Sequence, residues 1–372
     1  MADNARLPAP ASRGGAGERV KRWCTGMAVR ASLVVTPRLA ARLMRRTFAA
    51  AGSLSAQELE KHAPPGVVAL TDERYGDEDD MLLDVFRPAV AAGPLPLVLW
   101  VHGGGWVGGS KAGLTSYLKL IASHGYVVAG PGYSLAPEHQ YPTPPRQMMQ
   151  ALEYLQVNAD RYQIAPDRIA IGGDSAGAQI AAQLGAIVTT PGYAAAVGVT
   201  PVITAAQLRG LVLACGRYDL GLAKQVCTGA DRRYMKTIMW AYSGTRHYLR
   251  DPFFATFSVA NHVTPAFPPA FITVGNGDPL RPLSELLADK LCAQGIEPET
   301  LFFPTAHQPL LGHEYQFDLD APEGQLFLER MLAFLQRRLV EPTPGRETPD
   351  RSGLKRTSAG GSESGCGERL PQ

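Results

Sequence analysis

From about residue 80 onward the sequence breaks into short apolar runs bounded by Gly and Pro, with longer helix-like stretches between them. This alternation limits the fold more than any other feature. The runs are Leu82–Arg87, Leu97–Val101, Tyr126–Ala129, Ile169–Ile171, Leu211–Ala214, Ala270–Val274 and Thr300–Phe303. The first alternates. Leu97–Val101 is apolar at every residue, which suits a strand covered on both faces, as central strands of a parallel sheet are. Helical stretches lie between the runs, at Thr115–Ser123, Pro144–Asn158, Ala176–Val188, Leu283–Gln294 and Pro322–Leu339. The pattern predicts an α/β chain, with a mostly parallel sheet, helices on both faces and right-handed crossovers. Such sheets bind ligands beyond the carboxyl ends of their strands, so reactive residues are expected directly after the apolar runs.

The chain has 372 residues, 45% of them apolar, enough for a full core. One α/β domain of about 250–300 residues with tails accounts for that length. Lys and Arg number 36 against 34 Asp and Glu, a formal net charge of +2 that supplies no field for nucleic acid. Cys24, Cys215, Cys227, Cys292 and Cys366 are odd in number and lack CxxC or Cys/His ligand spacing, so no metal site or disulfide framework is expected. Residues 176–208 carry no formal charge, but Pro191, Gly192 and Pro201 interrupt them and make a poor membrane span. Residues 1–20 and 341–372 are rich in Ala, Pro, Gly and Arg and read as disordered tails. Between Trp23 and Ala51, Leu39, Leu43, Met44 and Phe48 fall at helical spacing, interleaved with Arg38, Arg42, Arg45 and Arg46. That basic amphipathic helix packs over a pocket with a solvated Arg face, or else touches a membrane surface. As an export signal it is weak, because Arg30 and Pro37 break the apolar run. The expected compartment is the cytoplasm, with peripheral membrane placement or export as alternatives.

Four of the runs end in reactive or Gly-rich sequence. Ser175, within Gly173-Asp174-Ser175-Ala176-Gly177, stands between the strand Ile169–Ile171 and a helix, the context a G-x-S-x-G nucleophile elbow requires. In a chain with 39 glycines the pattern alone is a weak signal, and its position between strand and helix carries the inference. A serine hydroxyl needs a base to take its proton, and the base needs a partner to hold its tautomer. In the order Ser…Asp…His, the run ending at Val274 leads into Asp278, the expected acid. For the base, His313 and His307 both follow Thr300–Phe303, and His313, with Tyr315 two residues on and the final helix just beyond, is preferred. Acyl transfer also builds an oxyanion, for which backbone N–H groups must be in place beforehand. Gly103-Gly104-Gly105, straight after Leu97–Val101, offers them without side chains to block close approach, and the N–H of Ala176 is the other donor. The rival use of such glycines, a phosphate cradle, lacks both G-K-[ST] and a helix-opening G-x-G-x-x-G.

The combination of HGGGW at 102–106, GYSLAPEHQYPTPP at 132–145, GDSAG at 173–177 and GDPL at 277–280 resembles the hormone-sensitive-lipase-like carboxylesterases of the α/β-hydrolase fold. The resemblance covers roughly residues 75–340, with the motifs in family order. It implies the same roles for Ser175, Asp278, Gly103, Gly104 and Ala176. The family's base usually lies in H-G-aromatic, where this chain has His313-Glu314-Tyr315. A helical cap is also implied, from an N-terminal segment, residues 21–70, and an insertion at about 216–262 within a catalytic domain of 71–340. Trp106 with Tyr242 and Trp240 of that insertion would line the pocket, or else pack in the core. Tyr133 and Glu138 read as fixing the loop they occupy.

The function expected is a serine carboxylesterase that hydrolyses short- to medium-chain esters of small molecules through an acyl-enzyme. Two alternatives stand beside it: an amidase or acyltransferase using the same triad, and a non-catalytic ligand-binding receptor on this fold. No metal or organic cofactor is called for, and a homodimer is allowed.

Overall fold

The computed structural model describes residues 37–226 and 229–341. The expected tails at 1–20 and from 342 on lie outside the described residues, as do Cys24, Cys227, Cys366 and residues 23–36 of the expected N-terminal helix. Eight strands form one sheet: β1 Val67–Arg74, β2 Leu82–Pro88, β3 Leu95–Val101, β4 Val127–Pro131, β5 Ile164–Asp174, β6 Leu208–Ala214, β7 Ala270–Val274 and β8 Glu299–Phe302. Their order across the sheet is β1-β2-β4-β3-β5-β6-β7-β8. β2 runs antiparallel to both its neighbours, and every pair from β4 to β8 is parallel. All seven apolar runs are strands, within a few residues at their ends. β1 was missed because, in an edge strand with the sequence VVALTDER, the apolar start gives way to Thr-Asp-Glu-Arg and much of the strand stays in water. Its presence also corrects the domain division, since the sheet begins at Val67, inside the segment 21–70 assigned to the cap.

Among the described residues ten helices complete the fold: α1 Pro37–Glu60, α2 Thr115–Ala122, α3 Thr143–Val157, α4 Ala159–Tyr162, α5 Ala176–Thr189, α6 Pro191–Val197, α7 Leu220–Val226, α8 Gly229–Ser243, α9 Arg281–Ala293 and α10 Pro322–Leu339. Successive strand residues point to opposite faces, and the two halves of the core follow that period. Leu97, Leu99, Ile169, Ile171, Leu211, Leu213 and Ile272 face one layer with α3, α5 and α9. Val98, Trp100, Ala170, Val212 and Phe271 face the other with α2 and α10. α5 (AGAQIAAQLGAIVT) is buried from Ala176 to Val188. A helix apolar all round has to be central, and its small residues let it settle on β5 and β6. α10 starts on Pro322 and Glu323 and ends on Arg337 and Arg338, each on the side its backbone dipole favours. No helix of the described residues is long and apolar enough to cross a membrane.

Between β6 and β7 the chain forms α7, α8 and three single 3-10 turns. α1 packs on α8, so the two segments form one layer above the carboxyl ends of the strands.

Candidate active site

β5 ends at Asp174, and the chain turns sharply at Ser175 (φ 52°, ψ −113°) into α5. A non-Gly residue held at positive φ costs on the order of 1–3 kcal/mol, so the surroundings must impose it. They do so through close packing. A Cβ at Gly173 would stand 2.5 Å from the Gly177 carbonyl carbon and 2.7 Å from Val101 O, and one at Gly177 would collide with Val101 O. The Ser175 N–H donates to Ala214 O on β6 at 2.8 Å, tying the turn to the sheet.

His313, on the loop after β8, reaches that serine. Its Nε2 lies 2.9 Å from Ser175 Oγ, and its Nδ1–H donates to Asp278 Oδ2 at 2.7 Å. An ionised carboxylate only accepts, which fixes the tautomer and leaves Nε2 free to take the serine proton. The Asp278 side chain is fully buried, and its other oxygen accepts the Leu280 N–H at 2.8 Å. The loops after β7 and β8 are held in register by Asn276, which no sequence signal beyond its place between two glycines picked out. Its Oδ1 accepts from Leu311 N–H at 2.9 Å and its Nδ2 donates to His307 O at 2.9 Å. The other candidate base, His307, hydrogen-bonds Glu323 through Nε2 at 2.8 Å and packs on Phe303. Of the two histidines, His313 is the one joined to Ser175.

The glycine loop after β3 needs one revision. Gly103 N–H already donates to Asp174 Oδ2 at 2.8 Å, so it is not free to meet an oxyanion. Gly104 (φ 112°) and Gly105 (φ 61°) follow in a tight turn, closed by Gly108 N–H on Gly104 O at 2.9 Å. The N–H groups of Gly104 and Gly105 donate to no protein group among the described residues, and the Ala176 N–H, first in α5, has no intrahelical acceptor. The donors available are therefore Gly104, Gly105 and Ala176. Asp174 pins the loop with both oxygens, the second accepting Trp100 Nε1–H at 3.0 Å. Burial, and then the charge of nearby Glu314, push its carboxyl above the usual range. His102 is a further pin. Its Nδ1–H donates to Gly103 O at 2.7 Å, its ring stacks on Tyr133 at 4.3 Å, and Tyr133 O–H donates to His102 O at 3.0 Å.

The aromatic residues assigned to the pocket are corrected as well. Trp106 is 2% exposed and Tyr242 0%, and they stack on each other at 5.1 Å with Phe257 edge-on. They are core. Trp240 is partly exposed with the Arg246 guanidinium 4.2 Å over its ring. Above the glycine loop lie the partly buried Phe48 of α1 and, 1% exposed, Ile238 of α8, 3.7 Å and 3.2 Å from the position of a Gly105 Cβ. Arg45 brings α1 there, its Nε–H donating to Val107 O at 2.9 Å and its Nη2 to Ala136 O at 2.6 Å, beside Glu138. One arginine of the helix face read as solvated is thus a docking group.

Among the described residues, donor atoms of Cys215, Asp278 and His313 gather within 4.8 Å of one another. They are already engaged, Asp278 with His313 and the Cys215 S–H with Gln316 Oε1 at 3.5 Å, and burial pushes the thiol up. The cluster is a hydrogen-bonded one rather than an open ligand set.

A family model described as alpha/beta hydrolase fold matches residues 98–308. Carboxylesterase NlhH of Mycobacterium tuberculosis is 30% identical over 275 residues, 71% of this chain and 81% of the relative. Esterase LipC of the same organism is 31% identical over 170 residues, 43% and 41% of the two chains. Among solved structures, esterase B from Lactobacillus rhamnosis superposes with a TM-score of 0.66 at 21% identity, over 80% of this chain and 96% of its own. A bacterial heroin esterase gives 0.65 at 24% identity, over 85% and 98%. At these identities the structural matches speak for the fold.

Proposed function

We propose, for a chain that belongs to the hormone-sensitive-lipase-like carboxylesterases of the α/β-hydrolase fold, that Ser175 is the nucleophile of a carboxylic ester hydrolase acting on small-molecule esters. The observation that carries the reading is His313, hydrogen-bonded at once to Ser175 Oγ at 2.9 Å and to Asp278 Oδ2 at 2.7 Å. Ser175 Oγ attacks the ester carbonyl as its proton passes to His313 Nε2. The buried Asp278 keeps the ring oriented and balances the imidazolium that forms. Charge moves onto the carbonyl oxygen, where the N–H groups of Gly104, Gly105 and Ala176 receive it without rearranging first. His313 then protonates the departing alcohol, and water, deprotonated by the same nitrogen, releases the acid from the acyl-enzyme. A receptor would have no need of a serine held in strain against a base. The partly buried Phe48, close above the glycine loop, supports a reading of short to medium acyl chains.

Ser175→Ala is expected to lower hydrolysis of p-nitrophenyl butyrate by at least about a thousandfold while circular dichroism is unchanged. In the parent a fluorophosphonate probe should label Ser175, and rates should decline from short and medium to long acyl chains. Retained hydrolysis in the alanine variant would sink the assignment.

A further inference from the structure

Directly after the base, Glu314 adopts left-handed backbone geometry (φ 60°, ψ 36°), which a glycine tolerates and a glutamate does not readily. Strain of that kind persists only where the surroundings hold it, and it gathers at functional sites. Its carboxylate has a defined place. Glu314 Oε1 lies 3.9 Å from His313 Nε2, on the side of the ring that faces Ser175, and 3.0 Å from the position of a Gly103 Cβ. The side chain is partly shielded, and its charge is felt as far as the buried Asp174.

We propose that Glu314 is a second counter-ion of the catalytic histidine, so that the imidazolium formed during attack lies between Asp278 at Nδ1 and Glu314 beside Nε2. The proposal rests on the serine-hydrolase reading and names a positioning residue within it. Its physical content is electrostatic. An anion at this distance in a partly buried site favours the charged form of the ring, and that form is populated in the transition state. The other titratable groups facing the ring are Asp278 after β7, Asp174 at the end of β5 and Cys215 after β6. Cys215 is held as a neutral thiol by burial, and Asp174 has its two oxygens committed to Trp100 and Gly103. Glu314 is therefore the group with a carboxylate oxygen beside Nε2 itself.

The sign of the effect follows from this arrangement. The neutral ring is the working base, and a nearby negative charge raises the pH at which the ring loses its proton, so removing that charge must move the acid limb of activity to lower pH. The experiment compares parent, Glu314→Gln and Glu314→Gly in two pH profiles, kcat/KM for p-nitrophenyl butyrate and the rate of Ser175 labelling by a fluorophosphonate. Both variants should shift the acid limb down by about half a pH unit or more. They should lower kcat about three- to tenfold, with KM for this neutral ester little changed. Glu314→Gly should in addition melt at a higher temperature than the parent, since it relieves the backbone, whereas a merely structural glutamate would melt lower and leave the limb in place. An acid limb unmoved in both variants, or moved upward, overturns the assignment of Glu314. A parent that neither labels at Ser175 nor hydrolyses esters would instead overturn the reading of the site beneath it.

Discussion

His102 makes the sharpest case at the level of single residues. It looks like a reactive histidine at the mouth of a strand, yet it is buried with its Nδ1–H on Gly103 O, and desolvation pushes its pKa from 6.5 down to about 4. The fold therefore favours the neutral ring. The unfolded chain binds more protons than the native one between about pH 6.5 and 4, and this contribution to stability is whole above pH 6.5 and disappears as the pH falls through that window. Between pH 7 and pH 5 the parent should lose about 2 kcal/mol of unfolding free energy more than His102→Gln, measured by urea denaturation at the two pH values. An equal loss in both proteins would mean that the buried ring carries no such linkage. Other residue roles divide by whether a side chain or a backbone group performs them. Ser175, Asp278 and His313 were legible because their chemistry lies in side chains at ordered places after strands. The Gly103 assignment failed because it depends on which N–H a neighbouring carboxylate has taken, and no spacing encodes the Asp174 to Gly103 bond.

Among the elements, α1 tests how the cap is fastened. Arg45 meets Val107 O and Ala136 O through hydrogen bonds of 2.9 and 2.6 Å and also pairs with Glu138. The ion pair is partly in water, where such pairs contribute about 0–1 kcal/mol, while charge-assisted bonds to carbonyls contribute about 1.5–3 kcal/mol. The backbone contacts should dominate. Arg45→Met is expected to cost about 1–3 kcal/mol and to lower kcat/KM about tenfold, whereas Glu138→Gln should cost less than about 1 kcal/mol and leave turnover nearly intact. Thermal melts and butyrate kinetics on the two variants check the order, and a larger loss in Glu138→Gln would reverse it. The same helix marks the limit of what pattern reveals about elements. The six inner strands are apolar because both their faces are covered, so their sequences announce them, and the half-buried edge strand β8 still shows a short apolar run. β1 is an edge with Asp72 at positive φ and a register shift between Leu70 and Glu73, and its exposed residues resemble a loop. Trp106 of the glycine loop and Tyr242 of the cap could be recognised as large aromatics near the site, but nothing local revealed that they stack on each other in the core while Phe48 lies above the loop.

Across the whole molecule the site is assembled from parts of unequal strength. Ser175, the glycine loop, Asp278 and His313 follow β5, β3, β7 and β8, parallel strands of which the first three are almost completely buried along their inner residues. Phe48 comes from α1, in which the buried apolar side chains among those described are Ala41, Met44 and Leu59, whereas Ile238 is itself 1% exposed in α8 beside the buried Met239 and Tyr242. Segments that bury little apolar surface open at lower free energy than the core they cover. In rising urea, hydrolysis of p-nitrophenyl butyrate, which needs α1 in place, should therefore fail first. Labelling of Ser175 by a small fluorophosphonate, which needs only the loops on the sheet, should persist until far-UV circular dichroism is lost. Three coincident transitions would show instead that Arg45 and its carbonyl partners bind cap and sheet into a single cooperative unit. The strain at Ser175 and Glu314 would then be supported by the whole chain rather than by the sheet alone.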